Sequence, residues 1–337
     1  MRQISLKAAL DRAACADDFA VLEIARPACP DGGILVRNVH LSLDPYIGPR
    51  LRGRHMGEAP PAPMLDPVPG AVVGQVAESR SPGIVEGDWI HSMEGGWQEY
   101  SAIAAGAFRK LDPAAAPLAA HAGVLGMPGL TAWAGITQLA KVTDGDTVLV
   151  DAAAGPVGGT AGQIARLKGA ARVVGIAGGP QKCRLVCETY GFDACIDYRS
   201  DGWKDRLKEA LPDGASVFFE NVSAEMAMTA LSVSRPYVRG VLCGLTGASP
   251  SAGPAPHALN AGLLIGKRAQ LSGLVVYDFY PHWDVFAEEA SGWIRSGKLR
   301  FCEDRAAGLE SAPALFEKLM RGENVGKAVI TVSKEAP

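Results

Sequence analysis

A chain of 337 residues, 48% hydrophobic and 20% charged, is long enough for two cores and ordinary in composition for a globular protein. Its formal net charge of -3 excludes the strongly basic balance that nucleic acid or an anionic membrane surface would call for. No apolar run approaches the ~18 residues of a spanning helix, and Met1 to Lys7 carries charge before any signal-like stretch, so a cytoplasmic protein is expected. Cys15, Cys29, Cys183, Cys187, Cys195, Cys243 and Cys302 form no CxxC pair and are expected as reduced thiols. His40, His55, His91, His121, His257 and His282 are scattered without ligand spacing, and no metal site is expected.

From Met1 to about Pro117 the chain reads as short strands closely punctuated by glycine and proline: Ala20–Ile24, Gly33–Leu41, Gly70–Ala77 and Asp88–Ser92. That spacing predicts a compact, mainly β domain, with a proline-rich loop from Glu58 to Pro69 over one edge. From Leu118 the texture turns helical.

Thr147–Val150 is an apolar, β-branched run suited to a buried parallel strand. Ala152 to Gly158 is too small-chained to build a core. Apolar residues then recur at helical spacing from Val157 through Ala161, Ile164 and Leu167, with Gly169 as the cap. Such a helix begins inside a glycine turn, where backbone N–H groups and the helix dipole can face a pyrophosphate. Arg172–Ala177 completes a βαβ unit. An NAD site usually places an acid about twenty residues on, for the ribose 2′-hydroxyl. No acid lies between Asp151 and Glu188; Ala177-Gly178-Gly179 ends the strand, and Lys182 follows where an ammonium can pair with a 2′-phosphate. The expected cofactor is NADP(H).

The alternation continues with a helix over Gln181–Tyr190, strand Ala194–Tyr198, helix Trp203–Leu211, strand Ser216–Glu220, helix Ala224–Ser232, strands Gly240–Cys243 and Ala269–Val276, and helix Trp283–Ser296. This predicts an α/β, doubly wound parallel sheet of six strands. Ligands sit beyond the carboxyl ends of such strands, so Gly178, Tyr198, Asn221, Gly244 to Ser249 and Val275 to Tyr277 should ring the cofactor. A helix over Ser311–Met320 follows, and the last strand, Gly326–Val332, is expected to return to the first domain. The expected division is 1–122 with 298–337, and 123–297.

In order and spacing, Leu41-Ser-Leu-Asp-Pro-Tyr46, Gly126-Met-Pro-Gly-Leu-Thr-Ala-Trp133, Ala152-Ala-Ala-Gly-Pro-Val-Gly158, Phe219-Glu-Asn-Val222, Leu274-Val-Val276 and Gly322-Glu-Asn-Val-Gly-Lys327 resemble one family. It is the zinc-independent medium-chain dehydrogenases/reductases, in the branch of prostaglandin reductases (leukotriene B4 dehydrogenases), plant 2-alkenal double-bond reductases and curcumin-reductase-like enzymes. The resemblance implies a GroES-like β domain from both chain ends plus a Rossmann domain. It puts Gly155, Pro156, Val157 and Gly158 at the pyrophosphate, and Lys182 with Tyr198 near the 2′-phosphate. Met127, Thr131, Asn221, Cys243, Gly244, Leu245, Thr246, Gly247, Ala248, Ser249, Leu274, Val275, Val276 and Asn324 would line the rest of the dinucleotide. Where zinc-binding relatives carry His-Glu after a Pro-Gly, this chain has Ala71-Val72 after Pro69-Gly70.

The implied chemistry is hydride delivery from NADPH to the β-carbon of an α,β-unsaturated aldehyde or ketone. The protein then needs a hydrogen-bond donor for the enolate oxygen and a proton source for the α-carbon. Many relatives carry a tyrosine where this chain has Gly266. Tyr46, Tyr277 and Tyr280 are the candidate replacements, and each equally suits an amphipathic packing role. Ile47-Gly-Pro-Arg50 departs from the family's usual loop, and Ser223-Ala224 replaces two glycines. Two alternatives stay open: an NADP-dependent alcohol or ketone oxidoreductase acting on the carbonyl, and a non-catalytic NADPH-binding protein like the lens crystallins. The partners implied are a small-molecule substrate and a second copy in a homodimer.

Overall fold

The structure is a computed structural model that describes residues 1–53, 66–244 and 259–335. The chain divides into two compact units, Met1–Gly126 with Glu303–Pro337, and Met127–Cys302.

The first unit opens with an antiparallel ribbon of β1 (Arg2–Leu6) and β2 (Phe19–Glu23). β3 (Ile34–Ser42) is nine residues long and almost wholly buried, because it pairs with other strands along both edges. The short helix α1 (Ile47–Arg50) follows, then β4 (Val72–Ser79), β5 (Trp89–Ser92), β6 (Tyr100–Ile103) and β7 (Arg109–Leu111). Most of the proline-rich loop expected over Glu58–Pro69 lies outside the described residues.

The second unit begins with α2 (Met127–Ala134), which widens into a π-turn over Gly135–Leu139. Then come β8 (Thr147–Val150), α3 (Pro156–Leu167), β9 (Arg172–Ala177), α4 (Pro180–Arg184) with a π-turn over Leu185–Thr189, and β10 (Ala194–Asp197). The sequence continues with α5 (Trp203–Ala210), β11 (Ala215–Glu220), α6 (Ala224–Ser232), β12 (Ser234–Leu242), α7 (Ala261–Lys267), β13 (Gln270–Gly273) and α8 (Trp283–Arg295). The six strands run parallel in the order β10-β9-β8-β11-β12-β13, a doubly wound sheet whose order reverses between β8 and β11. Val148, Leu149 and Val150 are buried on both faces, as a central parallel strand requires.

Two expectations need correction here. The strand expected over Ala269–Val276 is only Gln270–Gly273; after Leu274 the chain turns into a 3-10 segment, Val276–His282, held by the packed rings of Tyr277, Tyr280 and Trp283. The strand expected over Gly240–Cys243 starts at Ser234, since Arg235 and Pro236 disguise its first half and a register shift against β11 absorbs the irregularity.

The chain then re-enters the first unit with β14 (Glu303–Ala307), α9 (Ala312–Met320) and β15 (Lys327–Thr331). Its sheet runs β14-β15-β3-β4-β5-β7, with β6 also on β3. The apolar face of α9 completes the core: Trp97 stacks on Phe19 at 5.3 Å and meets Phe316 edge-on at 5.5 Å.

Candidate functional site

The carboxyl ends of β8 and β11, at the reversal of strand order, are where a doubly wound sheet binds its ligand. The turn after β8 is drawn tight. Ala152 is held at φ 43, a left-handed conformation that is strained for a side chain. A Cβ on Gly158 would stand 2.6 Å from the Ala152 carbonyl oxygen and 2.7 Å from that of Asp151, so only glycine allows the helix to start there. Gly155 is the extended N-cap of α3 and Pro156 its first residue; no described side chain caps the first turn. Its N–H groups and the dipole of this twelve-residue helix are therefore left to an anion. Gly155, Pro156, Val157 and Gly158 fit a pyrophosphate.

The end of β9 carries the second part of the site. Ala177 pairs with Asp197 in register, bringing the residues after both strands side by side. Asp197 Oδ1 accepts the N–H groups of Gly179 at 2.8 Å and Arg199 at 2.9 Å, which fastens the two strand ends together. A Cβ on Gly178 would stand 2.9 Å from the Tyr198 ring and 3.0 Å from Arg199 Nε, so these side chains lie over the bare backbone of Gly178. The Arg199 guanidinium is 5.8 Å from the Tyr198 ring. Lys182 sits in the first turn of α4. Two cations and a phenol thus stand near the end of β9, where an NAD site would show an acid, and this composition fits a 2′-phosphate. Arg199 escaped the sequence reading; the signal was a cation directly after Tyr198.

Below the turn lies a buried acidic group that sequence reasoning also missed. Asp151, Glu220 and Asn221 are all buried. Asp151 Oδ1 accepts from the backbone N–H of Asn221 at 2.7 Å and from its Nδ2 at 3.1 Å. Glu220 Oε1 accepts the N–H groups of Val222, at 2.7 Å, and Ser223. Burial and then the Glu220 charge hold the Asp151 carboxyl well above the usual range, and burial raises Glu220 as well. Burial, with the charges of Asp151 and Glu220, pushes the Cys243 thiol up to about 12. The signal was an acid at the end of each of two strands that the alternation makes neighbours.

The remaining candidates divide between the units. Thr131 gives its hydroxyl to the Met127 carbonyl at 2.8 Å, a bond within α2. Leu274 is buried and its N–H donates to Leu242 at 2.9 Å; Val275 precedes the 3-10 segment that holds Val276, Tyr277 and Tyr280. The rings of Tyr277 and Tyr280 meet edge-on at 5.9 Å, and Tyr277 is exposed. A Cβ on Gly244 would stand 2.9 Å from the Asn221 carbonyl oxygen, while one on Gly266, in α7, would meet nothing within 4 Å. Leu245, Thr246, Gly247, Ala248 and Ser249 lie outside the described residues.

In the first unit, Tyr46 precedes α1 and packs against the core. Asn324 is buried, its Nδ2 donating to the Gly326 carbonyl at 2.8 Å. Lys327, fully enclosed, donates to the Leu43 carbonyl and pairs with Asp44 at 3.0 Å, anchoring the Asp44-Pro45-Tyr46 turn to the last strand. Among the described residues no group of three or more His, Cys, Asp or Glu is placed to hold a metal ion. No helix among them is long and apolar enough to cross a membrane.

Residues 2–111 match a family described as "N-terminal domain of oxidoreductase", and residues 156–294 one described as "Zinc-binding dehydrogenase". The chain is 36% identical over 319 residues to "NADPH-dependent curcumin reductase" of Escherichia coli (strain K12), covering 92% of this chain and 90% of that protein. It is also 36% identical to "2-alkenal reductase (NADP(+)-dependent)" of Nicotiana tabacum, over 91% of this chain and 90% of that protein. A crystal structure of CurA in complex with NADPH from Vibrio vulnificus superposes with a TM-score of 0.90 at 33% identity, covering 99% of this chain and all of that one.

Proposed function

The chain belongs to the zinc-independent branch of the medium-chain dehydrogenases/reductases, and we propose that it reduces the C=C bond of α,β-unsaturated aldehydes and ketones with NADPH. The observation that carries the cofactor half is the end of β9, where Lys182 and Arg199 replace the acid of an NAD site beside a backbone left bare at Gly178. The substrate half rests on relatives named for reducing curcumin, 2-alkenals and pulegone, each at least 35% identical over most of the chain.

NADPH, when bound, supplies the hydride for the β-carbon. This chain's residues do the rest. The first-turn N–H groups of α3 hold the pyrophosphate, and Lys182, Tyr198 and Arg199 hold the 2′-phosphate. Resemblance assigns Met127, Thr131, Asn221, Cys243, Gly244, Leu245 to Ser249, Leu274 to Val276 and Asn324 to the lining of the dinucleotide. Tyr46 donates a hydrogen bond to the enolate oxygen as charge develops there, an interaction that strengthens only in the transition state. Tyr277 and Tyr280 are the second choice, because their rings are already packed on each other and on Trp283. Reduction of the carbonyl itself is the second reading, favoured by Gly266, which offers no hydroxyl on α7. We place the enzyme in the cytoplasm as a homodimer joined through β13, the end strand of the six-stranded sheet.

The test is NADPH consumption with a short enal, a cyclic enone, an aryl-conjugated enone and the matching saturated ketones, NADH alongside. Mass spectrometry identifies the bond reduced. Saturated carbonyl products are expected, with no turnover of the saturated ketones. Allylic alcohols would favour the second reading, and tight NADPH binding without turnover would favour a non-catalytic protein.

A further inference from the structure

Asp151 directly follows β8 and Glu220 is the last residue of β11, the two strands between which the sheet order reverses. Val150 pairs with Phe219 in register, so the two acids are the next neighbours along both strands. One oxygen of each is well supplied with donors: Asp151 Oδ1 by the backbone and side chain of Asn221, Glu220 Oε1 by Val222 and Ser223. Asp151 Oδ2 is different. It is buried with no donor to meet it, and the Glu220 carboxyl is the charged side chain that neighbours Asp151. Two carboxylates are both acceptors and cannot bond; one proton between them turns the same contact into a charge-assisted O–H···O bond.

We propose that Asp151 and Glu220 form a one-proton carboxyl pair that positions Asn221 and sets the pH range over which the dinucleotide is bound. The inference rests on the reading that NADPH binds at this end of the sheet. The proton resides on Asp151, which burial and the Glu220 charge both favour, and Glu220 accepts it. Facing the pair from the end of β12 is the Cys243 thiol, pushed up to about 12 and so neutral; from the chain after β11 comes the uncharged Asn221 amide. With its proton the pair carries one negative charge. Without it there are two, buried at the foot of the turn from Ala152 to Gly158 whose task is to receive an anion. Like charges in a low-dielectric site repel strongly, and loss of the proton also removes the bond that holds Asp151 Oδ2. NADPH binding should therefore weaken on the alkaline side.

The experiment measures the NADPH dissociation constant by cofactor fluorescence from about pH 6 to about pH 10 for wild type, Asp151→Asn and Glu220→Gln. An asparagine at 151 keeps an oxygen for Asn221 and an N–H for Glu220, but has no proton to lose. Wild-type affinity is expected to fall by up to about tenfold per pH unit above the titration of the pair, the slope for one linked proton. Both variants should bind across that range with a flat profile. Parallel profiles for wild type and both variants would overturn the proposal. Infrared spectroscopy of the cofactor-free protein supplies an independent reading: a protonated-carboxyl carbonyl band at neutral pH, lost in Asp151→Asn. Absence of that band in wild type would overturn the shared proton, and a band with pH-independent binding would overturn the coupling alone. Failure of wild type to bind NADPH at any pH would overturn the cofactor reading, and the coupling with it.

Discussion

The groups that burial shifts towards their neutral forms are of opposite kinds in the two units. In the first unit they are bases: burial, helped by His121 and Arg109, pushes His91 down to about 3; burial alone takes His121 to about 4; His40 is lowered by burial despite its contact with Glu335. In the second they are acids, Asp151, Glu220 and Cys243, each raised first by burial. In each of these groups burial favours the neutral form, as a low-dielectric interior does. The difference lies in which direction of pH breaks each unit. The first must resist protons, and the second must keep the one that we propose Asp151 and Glu220 share.

The largest expected effect follows from that contrast. A histidine whose folded pKa is depressed takes up its proton more readily when unfolded. Its contribution to stability is therefore complete above about 6.5 and is lost as pH falls towards 4 and 3. Each such histidine costs about 1.4 kcal/mol per pH unit inside that window, so His91 and His121 together remove several kcal/mol. For Asp151 and Glu220 the folded pKa is raised, and the sign reverses: their contribution is complete below the ordinary carboxyl range and is lost as pH rises through the folded values. Hydrogen exchange at stepped pH should show amides of β3, β4 and β5 losing protection first in acid. Earlier loss in β8 and β11 would contradict the comparison. His91→Gln should flatten the acid limb.

Lys327 is the base in the first unit that escapes by pairing rather than by discharge. Burial lowers its pKa, and Asp44 works against that. Lys327→Met leaves Asp44 buried without its cation and should cost about 3 to 5 kcal/mol in urea unfolding. Lys327→Met with Asp44→Asn should recover much of the loss, since the stranded charge goes with it. Tyr46, carried on the same turn, offers a sharper contrast in function. Tyr46→Phe should lower kcat about 10²-fold to 10³-fold, the usual loss for one oxyanion donor, with NADPH affinity unchanged. An unaltered kcat would move the donor role to Tyr277 or Tyr280.

The sequence displays the second unit better than the first, for a physical reason. β8, α3 and β9 announce themselves through an apolar run, small residues and a helical period, all within about thirty residues. β1, β6, β7 and β14 are short and partly polar, and their identity lies in partners far along the chain: Tyr100–Ile103 against β3, and Glu303–Ala307 against β15. The same holds for the site. Gly155, Gly158 and Lys182 are visible because their neighbours in sequence give them meaning. Arg199 gains its place only when β10 pairs with β9, and Asp151 meets Glu220 only when β8 pairs with β11. Leu274-Val-Val276 has strand composition and reads as the end of a strand, but the chain leaves the sheet after Gly273 and ring packing of Tyr277 and Tyr280 holds the 3-10 segment that follows.

The smallest expected effect tests what the second unit does with its cations. Lys182 and Arg199 lie near the surface, where solvent screens each charge, so neither should matter much for folding. NADPH differs from NADH by one phosphate, and a charge-assisted hydrogen bond to it contributes about 1.5 to 3 kcal/mol. Lys182→Ala should therefore weaken NADPH binding about tenfold or more and leave NADH nearly untouched. Arg199→Ala should do the same, and the double variant should bring the two cofactors close to parity. Raising salt should shrink the wild-type preference more than it shrinks that of the double variant. Equal losses for NADPH and NADH would mean that these cations act on the dinucleotide's total charge rather than on its 2′-phosphate, and selectivity would then have to come from Tyr198 and the backbone of Gly178.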